Sequence, residues 1–200
     1  MTLKTSTPSR GRPRDPKKLE SIVQTAKQLF SENGFERISV DEIARQAGVT
    51  KATVYSYFGS KEALFGATVL HKVREEFALG ESQTLDPRSP EEGLQVIGKQ
   101  FLSLIRRDDV LGAHRTLFSC AGVHPDLCEA FFKSAPFMVH AEVTRFFEAC
   151  IEIGSMKNAI AADAADQFLS LHLGIGHIKA MLGLGKPDPA EDDRLVQRNI

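Results

Sequence analysis

Residues 39–61 read SVDEIARQAGVTKATVYSYFGSK and contain the start signals of two short helices. Ser39 is a favourable N-cap, and Glu42 three residues later completes a capping box. Thr50 is placed to cap the second helix. The tight turn between the helices needs a residue that tolerates a positive φ, and Gly48 supplies it. The stretch therefore predicts a helix-turn-helix, whose second helix enters the major groove of DNA.

The apolar side chains of this stretch are spaced to fill the angle between the two helices, which leaves polar groups outside. The apolar set is Val40, Ile43, Ala44, Val49 and Val54. Hydroxyl, phenol and ammonium groups donate hydrogen bonds to phosphate oxygens, so we expect the polar side to lie on DNA. The predicted DNA contacts here are Ser39, Thr50, Lys51, Ala52, Thr53, Tyr55, Tyr57 and Lys61.

The N-terminal end of the second helix is the part that we expect to reach base edges, because the helix is short. The candidates are Lys51, Ala52 and Thr53, with the alanine methyl against a thymine methyl. Tyr55 and Tyr57 lie further along the helix and are predicted to hold phosphates.

A basic arm precedes the helices. Residues 1–16 are rich in Ser, Thr, Pro and Arg, and they lack apolar periodicity. The guanidinium groups of Arg10, Arg12 and Arg14 on an extended chain would fit the negative minor groove beside the site. Residues 1–61 hold 11 Lys and Arg against 6 Asp and Glu, whereas the remainder holds 14 against 20. This asymmetry favours a polyanion-binding surface at the N-terminus, with a solvated tail as the alternative.

Apolar residues at three- and four-residue spacing indicate helices along the rest of the chain, and no alternating run indicates a strand. The predicted fold class is all-α, with an N-terminal three-helix helix-turn-helix domain followed by a helical ligand-binding and dimerisation bundle. The expected boundaries are 1–16 for the arm, 17–61 for the helix-turn-helix domain and 62–200 for the bundle. The long helix that we expect from His124 to about Ile153 contains Pro136, which predicts a kink there.

Aromatic residues and histidines of the second half are candidates for a ligand cavity. Pockets for small molecules are largely apolar with a few polar groups, whereas a histidine in an apolar segment is otherwise a hydrogen-bonded core residue. Both interpretations stay open for these residues. The predicted cavity lining for a hydrophobic effector is Phe101, Ile105, His114, Phe118, Phe131, Phe137 and His172.

The segment 163–182 carries two apolar stripes, which suggests core contact on one side and a partner subunit on the other. Gly174 and Gly176 would allow another helix to approach closely, although a deeply buried central helix would show the same pattern. The predicted homodimer contacts are Leu169, Leu173, Gly176 and Ala180.

Compartment and membrane association follow from what the sequence lacks. The three cysteines form no disulfide framework. Charged residues interrupt every apolar stretch before it reaches the length of about 18 residues that a membrane span requires. Residues 1–14 contain no apolar segment of the kind that follows the basic residues of a secretory signal. We therefore expect a cytoplasmic protein without membrane contact.

Cys120, His124 and Cys128 are spaced by four residues, as metal ligands on one helix would be. Gly122 and Pro125 interrupt such a helix, so we favour buried cysteines and expect no metal and no cofactor. A metal- or thiol-sensing regulator that uses these three residues is the alternative function. The chain has no Gly-x-Ser-x-Gly and no complete phosphate-binding loop, so we expect no enzyme. An enzyme with an incidental helix-turn-helix is a third option.

Residues 50–65, TKATVYSYFGSKEALF, resemble the signature of the TetR family of bacterial regulators. Residues 34–49, GFERISVDEIARQAGV, are similar to that family's second helix and the approach to it. The resemblance covers roughly residues 17–77. More loosely, the body resembles the AcrR- and AefR-like subgroup of efflux- and stress-type repressors, through RTLFSCAGVHPDLCEAFF at 115–132 and DQFLSLHLGIGHIKAMLG at 166–183. In the family the last helix often continues further than it does in this chain, which ends at Ile200.

The resemblance implies an all-α homodimer with three DNA-binding helices and a larger body that binds a ligand. It also implies that the residues from Thr50 to Lys61 quoted above lie at the DNA surface. The expected function is a ligand-released repressor that binds a pseudo-palindromic operator, with its two recognition helices about 34–36 Å apart.

Overall fold

The structure is a computed structural model that describes residues 15–76, 85–157 and 159–200. Within these ranges all regular secondary structure is helical, which confirms the predicted all-α class. The described helices are α1 (Pro16–Asn33), α2 (Val40–Gln46), α3 (Lys51–Phe58), α4 (Lys61–Glu76), α5 (Pro90–Ile105), α6 (Asp108–Cys120), α7 (Pro125–Glu152), α8 (Ala161–Met181) and α9 (Pro189–Arg198). The arginines of the basic arm, Arg10, Arg12 and Arg14, lie outside the described residues. No helix in the described ranges has the length and apolar content that a membrane span requires.

The described residues up to Gly59 form one compact unit that contains α1, α2 and α3. α1 begins where the Asp15 carboxylate accepts a hydrogen bond from the Lys17 backbone N–H at 3.0 Å, and it ends at Gly34 with φ 81°. The core of this unit includes Ile22 and Ile43, both fully buried. Complete burial of such a side chain contributes about 1.5–3 kcal/mol, so these residues hold the three short helices together.

The residues from Ser60 onward form a second compact unit that contains α4 to α9. α4 and α7 are closely apposed, because a Cβ atom added at Gly66 would lie 2.8 Å from the backbone oxygen of Ala130. The core of the unit lies mainly between α5, α7 and α8, with Ile97 and Val143 fully buried. The same helices contribute to the walls of a cavity in this unit.

The long helix expected from His124 to about Ile153 is α7, which contains Pro136. A feature that the sequence did not indicate is a non-helical residue in α8 at Gly174, with φ 50° and ψ −175°, a region that residues with a Cβ scarcely enter. A Cβ at Gly174 would meet no atom within 4 Å, so this glycine serves backbone conformation and not the expected close helix approach.

Candidate nucleic-acid interface and ligand cavity

The corner between α2 and α3 is fixed by caps at both helix starts. The Ser39 hydroxyl accepts a hydrogen bond from the Glu42 backbone N–H at 3.2 Å, which is one half of the predicted capping box. The Glu42 carboxylate accepts from Arg45 and Gln46 instead of returning to Ser39. Gly48 has φ 67°, and the Val49 N–H returns to the Ala44 oxygen at 3.0 Å. Because of this turn, α3 leaves the corner in a new direction with its N-terminal end exposed.

The outward side of α3 carries the hydroxyl, ammonium and phenol groups that the sequence predicted there. We call Thr50, Lys51, Ala52, Thr53 and Tyr55 the α3 surface. All of them are exposed except Thr53, which is half-buried. The Thr50 hydroxyl accepts from the Thr53 backbone N–H at 3.1 Å and lies 2.9 Å from the Thr53 hydroxyl. Val54 is the buried residue of this helix, so α3 uses one face for packing and presents the rest to solvent.

Lys51 is engaged by a carboxylate of its own unit. Its Nζ donates to Asp41 Oδ2 at 2.7 Å, and both side chains are largely exposed. The hydrogen bond and the charge of Asp41 raise the pKa of Lys51, so its ammonium group is fully charged at neutral pH. Sequence reasoning missed this pair, because the two residues are ten positions apart on different helices and no local pattern links them.

Tyr57 has a contact that the sequence did not indicate. Its hydroxyl accepts from the Asp15 backbone N–H at 2.9 Å, which joins the last turn of α3 to the start of α1. The phenol therefore holds the two helices together and is half-buried. Ser39 is exposed at the start of α2, and Lys61 is the first residue of α4 in the second unit.

A cavity of about 710 Å³ lies in the second unit between α6, α7 and α8, with further residues from α4 and α5. This volume is within the range of small-molecule sites, and the walls are mainly apolar. Five residues of the predicted cavity lining are on its walls. They are Phe101, Ile105, His114, Phe131 and Phe137.

Two other residues of the predicted cavity lining lie elsewhere. Phe118 is 75% exposed and does not line the cavity. His172 is fully buried, with its Nδ1 2.7 Å from the Phe168 oxygen, and a Cβ at Gly98 would come within 2.8 Å of its Nε2. Burial lowers the pKa of His172, so it is a neutral core histidine packed against α5.

The predicted dimer contacts on α8 have different surroundings within this chain. Leu169 and Leu173 line the cavity, and Ala180 is buried. A Cβ at Gly176 would lie 2.6 Å from Pro187 Cγ, so this glycine serves a close approach within the chain. Exposed apolar residues after Gly174 are Ile175 and Ile178 on α8 and Leu182 at its C-cap, at 70%, 53% and 68%, and we call them the exposed α8 face.

A polar network lies behind one cavity wall. Arg106, nearly buried, donates to His177 Nδ1 at 3.2 Å and to Asp192 Oδ1 at 3.3 Å. Since a guanidinium group only donates, neutral His177 carries its proton on Nε2. Burial and the charges of Arg106 and His114 lower the pKa of His177 to about 4. The His177 ring makes an edge contact with His114, which lines the cavity.

Cys120, His124 and Cys128, the residues of the alternative metal or thiol site, lie at the end of α6 and the start of α7. Among the described residues no three His, Cys, Asp or Glu side chains are grouped to hold a metal ion. Cys128 is half-buried, and its thiol is 3.8 Å from the Leu117 oxygen. His124 is the residue that precedes α7, and the side chain of Cys120 lies outside the described part.

Comparison with known proteins gives matches over both units. Residues 22–68 match the family described as bacterial regulatory proteins, tetR family. Residues 92–200, more than half of the chain, match the C-terminal domain of AefR-like transcriptional repressors.

Individual relatives are transcriptional regulators. YdeS of Bacillus subtilis (strain 168), described as an uncharacterized HTH-type transcriptional regulator, is 44% identical over 55 residues, which are 28% of this chain and 28% of YdeS. The HTH-type transcriptional regulator UidR of Escherichia coli (strain K12) is 27% identical over 145 residues, 71% of this chain and 68% of UidR. The solved structure of the flavonoid-responsive regulator FrrA has a TM-score of 0.70 at 28% identity and covers 92% of this chain and 94% of its own.

Proposed function

The chain belongs to the TetR family of bacterial regulatory proteins, and from this membership we propose that it is a ligand-released repressor. It binds a pseudo-palindromic operator as a homodimer and leaves it when a small apolar molecule enters the cavity. Residues 17–61 supply the DNA-binding part, and residues 62–200 supply the effector-binding and dimerising part. Since its target is the bacterial chromosome, it acts in the cytoplasm.

The α3 surface carries the DNA-binding part of the proposal. Its ammonium, hydroxyl and phenol groups lie around the exposed first turns of a helix that follows a tight turn. Lys51, Ala52 and Thr53 lie in the first turn, where short recognition helices contact base edges. Tyr55 lies one turn further on, within reach of a phosphate. In addition, N–H groups at the start of a helix favour an anion, although the Thr53 N–H of α3 already donates to the Thr50 hydroxyl.

The homodimer is supported by the exposed α8 face. Ile175, Ile178 and Leu182 recur at three and four residues, so they lie on one side of the second half of α8. A contiguous apolar patch of this kind is typical of a protein-protein contact. Two copies joined by a twofold axis would present two recognition helices, which accounts for a pseudo-palindromic operator.

Effector release is supported by the cavity. Its volume of about 710 Å³ and its apolar walls suit a small organic molecule. FrrA responds to flavonoids, and this favours an organic effector for the present chain as well. The ligand weakens operator binding if its affinity is higher for the conformation that does not bind DNA.

The test of the DNA-binding proposal is a selection from random duplexes followed by gel shifts. The wild-type protein should enrich a pseudo-palindrome with half-sites about one helical turn, 34–36 Å, apart. On the enriched duplex, Lys51→Ala should weaken binding and reduce the slope of log affinity against log salt by about one. Tyr55→Ala should weaken binding without a change in oligomeric state.

Lys133→Ala is the matched control, because it removes one exposed positive charge from α7. It should leave affinity and salt slope as they are in the wild type. Failure of the wild type to enrich any sequence would overturn the proposal. Equal affinities for Lys51→Ala, Tyr55→Ala and the wild type would remove the α3 surface from the DNA interface.

A further inference from the structure

Three polar side chains on the cavity walls remain available to a ligand. Asp166 and Ser170 lie one turn apart on α8, and His114 lies on α6. Among the described residues, none of the three has a hydrogen-bond or ion-pair partner. Polar groups without partners in an otherwise apolar cavity fix the orientation of a bound molecule.

The other polar groups of the cavity are already satisfied within the protein. Both oxygens of Asp109 accept from Arg107 at 3.2 Å, and one also accepts from the Val110 N–H. His140 Nε2 is 3.2 Å from the Ala162 oxygen, which can only accept, so this nitrogen donates. A ligand would therefore find its polar partners among Asp166, Ser170 and His114.

The charge of the available groups is negative. No lysine or arginine lines the cavity within the described residues. Arg106, behind the wall, is engaged by His177 and Asp192, and Arg107 is engaged by Asp109. Because burial lowers the pKa of His114, its ring is neutral at pH 7. A carboxylate head group beside Asp166 would meet a like charge and find no cation on the described part of the cavity walls, which disfavours its binding.

We infer that the cavity selects apolar compounds whose head group donates hydrogen bonds and bears no negative charge, with amines bound most tightly. The exposed carboxylate of Asp166 lies at the cavity edge and pairs with the ammonium group. A head group at the edge keeps much of its hydration, whereas the alkyl or aromatic part fills the space between Phe101, Phe131 and Phe137. This inference deepens the effector-release proposal and rests on it.

The test uses three probes that differ only in the head group: decylamine, decanol and decanoate. At pH 7 they are cationic, neutral and anionic, respectively. We expect titration calorimetry to give the order decylamine, decanol, decanoate from tightest to weakest. The step from amine to alcohol should be about three- to fivefold, the value of a partly exposed ion pair. The step from alcohol to carboxylate should be about three- to fivefold or more, because the carboxylate would lie beside Asp166 with no cation among the described residues of the cavity walls.

Two matched variants separate the cavity from general surface charge. Asp166→Asn should bring the affinities of decylamine and decanol within about twofold of each other. Asp163→Asn changes the net charge equally on the same helix, but Asp163 does not line the cavity. The Asp163→Asn variant should keep the wild-type order of affinities for the three probes and the ratios between them.

The possible outcomes discriminate between the two proposals. If decanoate binds as tightly as decylamine, or if Asp163→Asn acts like Asp166→Asn, the inferred selectivity is wrong while a ligand-binding regulator stands. If none of the probes binds but the wild type still selects an operator, both the selectivity and the assignment of the cavity as effector site fail. Operator release by decylamine in gel shifts, with far-UV circular dichroism unchanged, would support both.

Discussion

Lys51 has a negatively charged partner within its own molecule. The Asp41 carboxylate accepts a hydrogen bond from its Nζ at 2.7 Å. At the proposed interface, DNA would have to share or displace this pair, and the carboxylate would repel phosphates. We therefore expect the affinity of the α3 surface for DNA to be lower than its own donors would allow.

Asp41→Asn should raise operator affinity about two- to fivefold at moderate salt, since it removes one repulsive charge and releases Lys51. The measurement is a gel shift or anisotropy titration on the enriched duplex. Asp126→Asn, at the start of α7, is the control and should change nothing. A loss of affinity in Asp41→Asn would mean that Asp41 is needed to orient Lys51.

His177 makes the stability of the second unit depend on pH. Burial and the charges of Arg106 and His114 lower its folded pKa from 6.5 to about 4. Between these values the unfolded chain binds a proton that the folded chain does not, so the free energy of unfolding falls as the pH drops below 6.5. The contribution is fully present above pH 6.5 and is lost progressively towards pH 4.

His177→Asn keeps an acceptor near Arg106 but does not titrate. Relative to pH 7.5, the wild type should lose about 1–2 kcal/mol more than the variant at pH 4.5, after allowance for partial solvent screening. Urea unfolding at a series of pH values measures this difference. Parallel pH profiles for the two proteins would contradict the assignment of the effect to His177.

At the scale of the helices, glycines at two positions with opposite surroundings give a matched test of the packing. A Cβ atom added at Gly66 on α4 would lie only 2.8 Å from the backbone oxygen of Ala130 on α7. Gly112 lies inside α6, and a Cβ atom added there would have no neighbour within 4 Å among the described residues, so the space is open.

Gly112→Ala should stabilise the protein by about 0.5–1 kcal/mol, because alanine loses less conformational freedom in a helix. Gly66→Ala should destabilise it by about 1–3 kcal/mol, because α4 and α7 must separate. Chemical denaturation of the two variants measures both values. Equal stabilisation by both would show that the α4–α7 apposition is looser than described.

The helices were predictable wherever their ends depend on neighbouring residues. Ser39, Thr50 and Gly34 mark helix boundaries through local caps, and the structure places those boundaries there. The break in α8 was not predictable, because Gly174 and Gly176 look alike in the sequence. Only the surroundings distinguish them: Pro187 crowds Gly176, whereas Gly174 takes a conformation open to glycine alone.

The candidate sites also include parts that depend on neighbouring residues and parts that depend on distant packing. The exposure of Lys51, Ala52 and Tyr55 follows from one helix packing on its neighbours, so a local pattern was sufficient. Placement of His172 in the core and of Leu173 on the cavity wall depends on how α5, α7 and α8 meet. Helical periodicity gives the faces of α8 but not which neighbour each face contacts, so it did not indicate that Ala180 is buried within its own chain.

At the scale of the whole molecule, the exposed α8 face is where we expect the second subunit. Ile178→Glu places a charge in this patch and should convert a dimer to a monomer, as measured by sedimentation velocity. Operator affinity should fall at least about tenfold, since one recognition helix would bind alone. Ile160→Glu, at an exposed isoleucine just before α8, is the control and should leave the dimer intact. A dimeric Ile178→Glu protein would exclude this face.

Gly174 separates two stretches of one helix that have different surroundings. Before it, Asp166, Leu169 and Leu173 line the cavity; after it, the exposed α8 face begins. Every single-nucleotide change of a glycine codon that alters the residue adds a side chain, and the observed φ and ψ would then cost about 1–3 kcal/mol. In a saturation library screened for repression in living cells, codon 174 should return glycine almost alone, whereas codon 112 should accept alanine and serine. Widespread tolerance at codon 174 would indicate that the bend in α8 is dispensable to the switch.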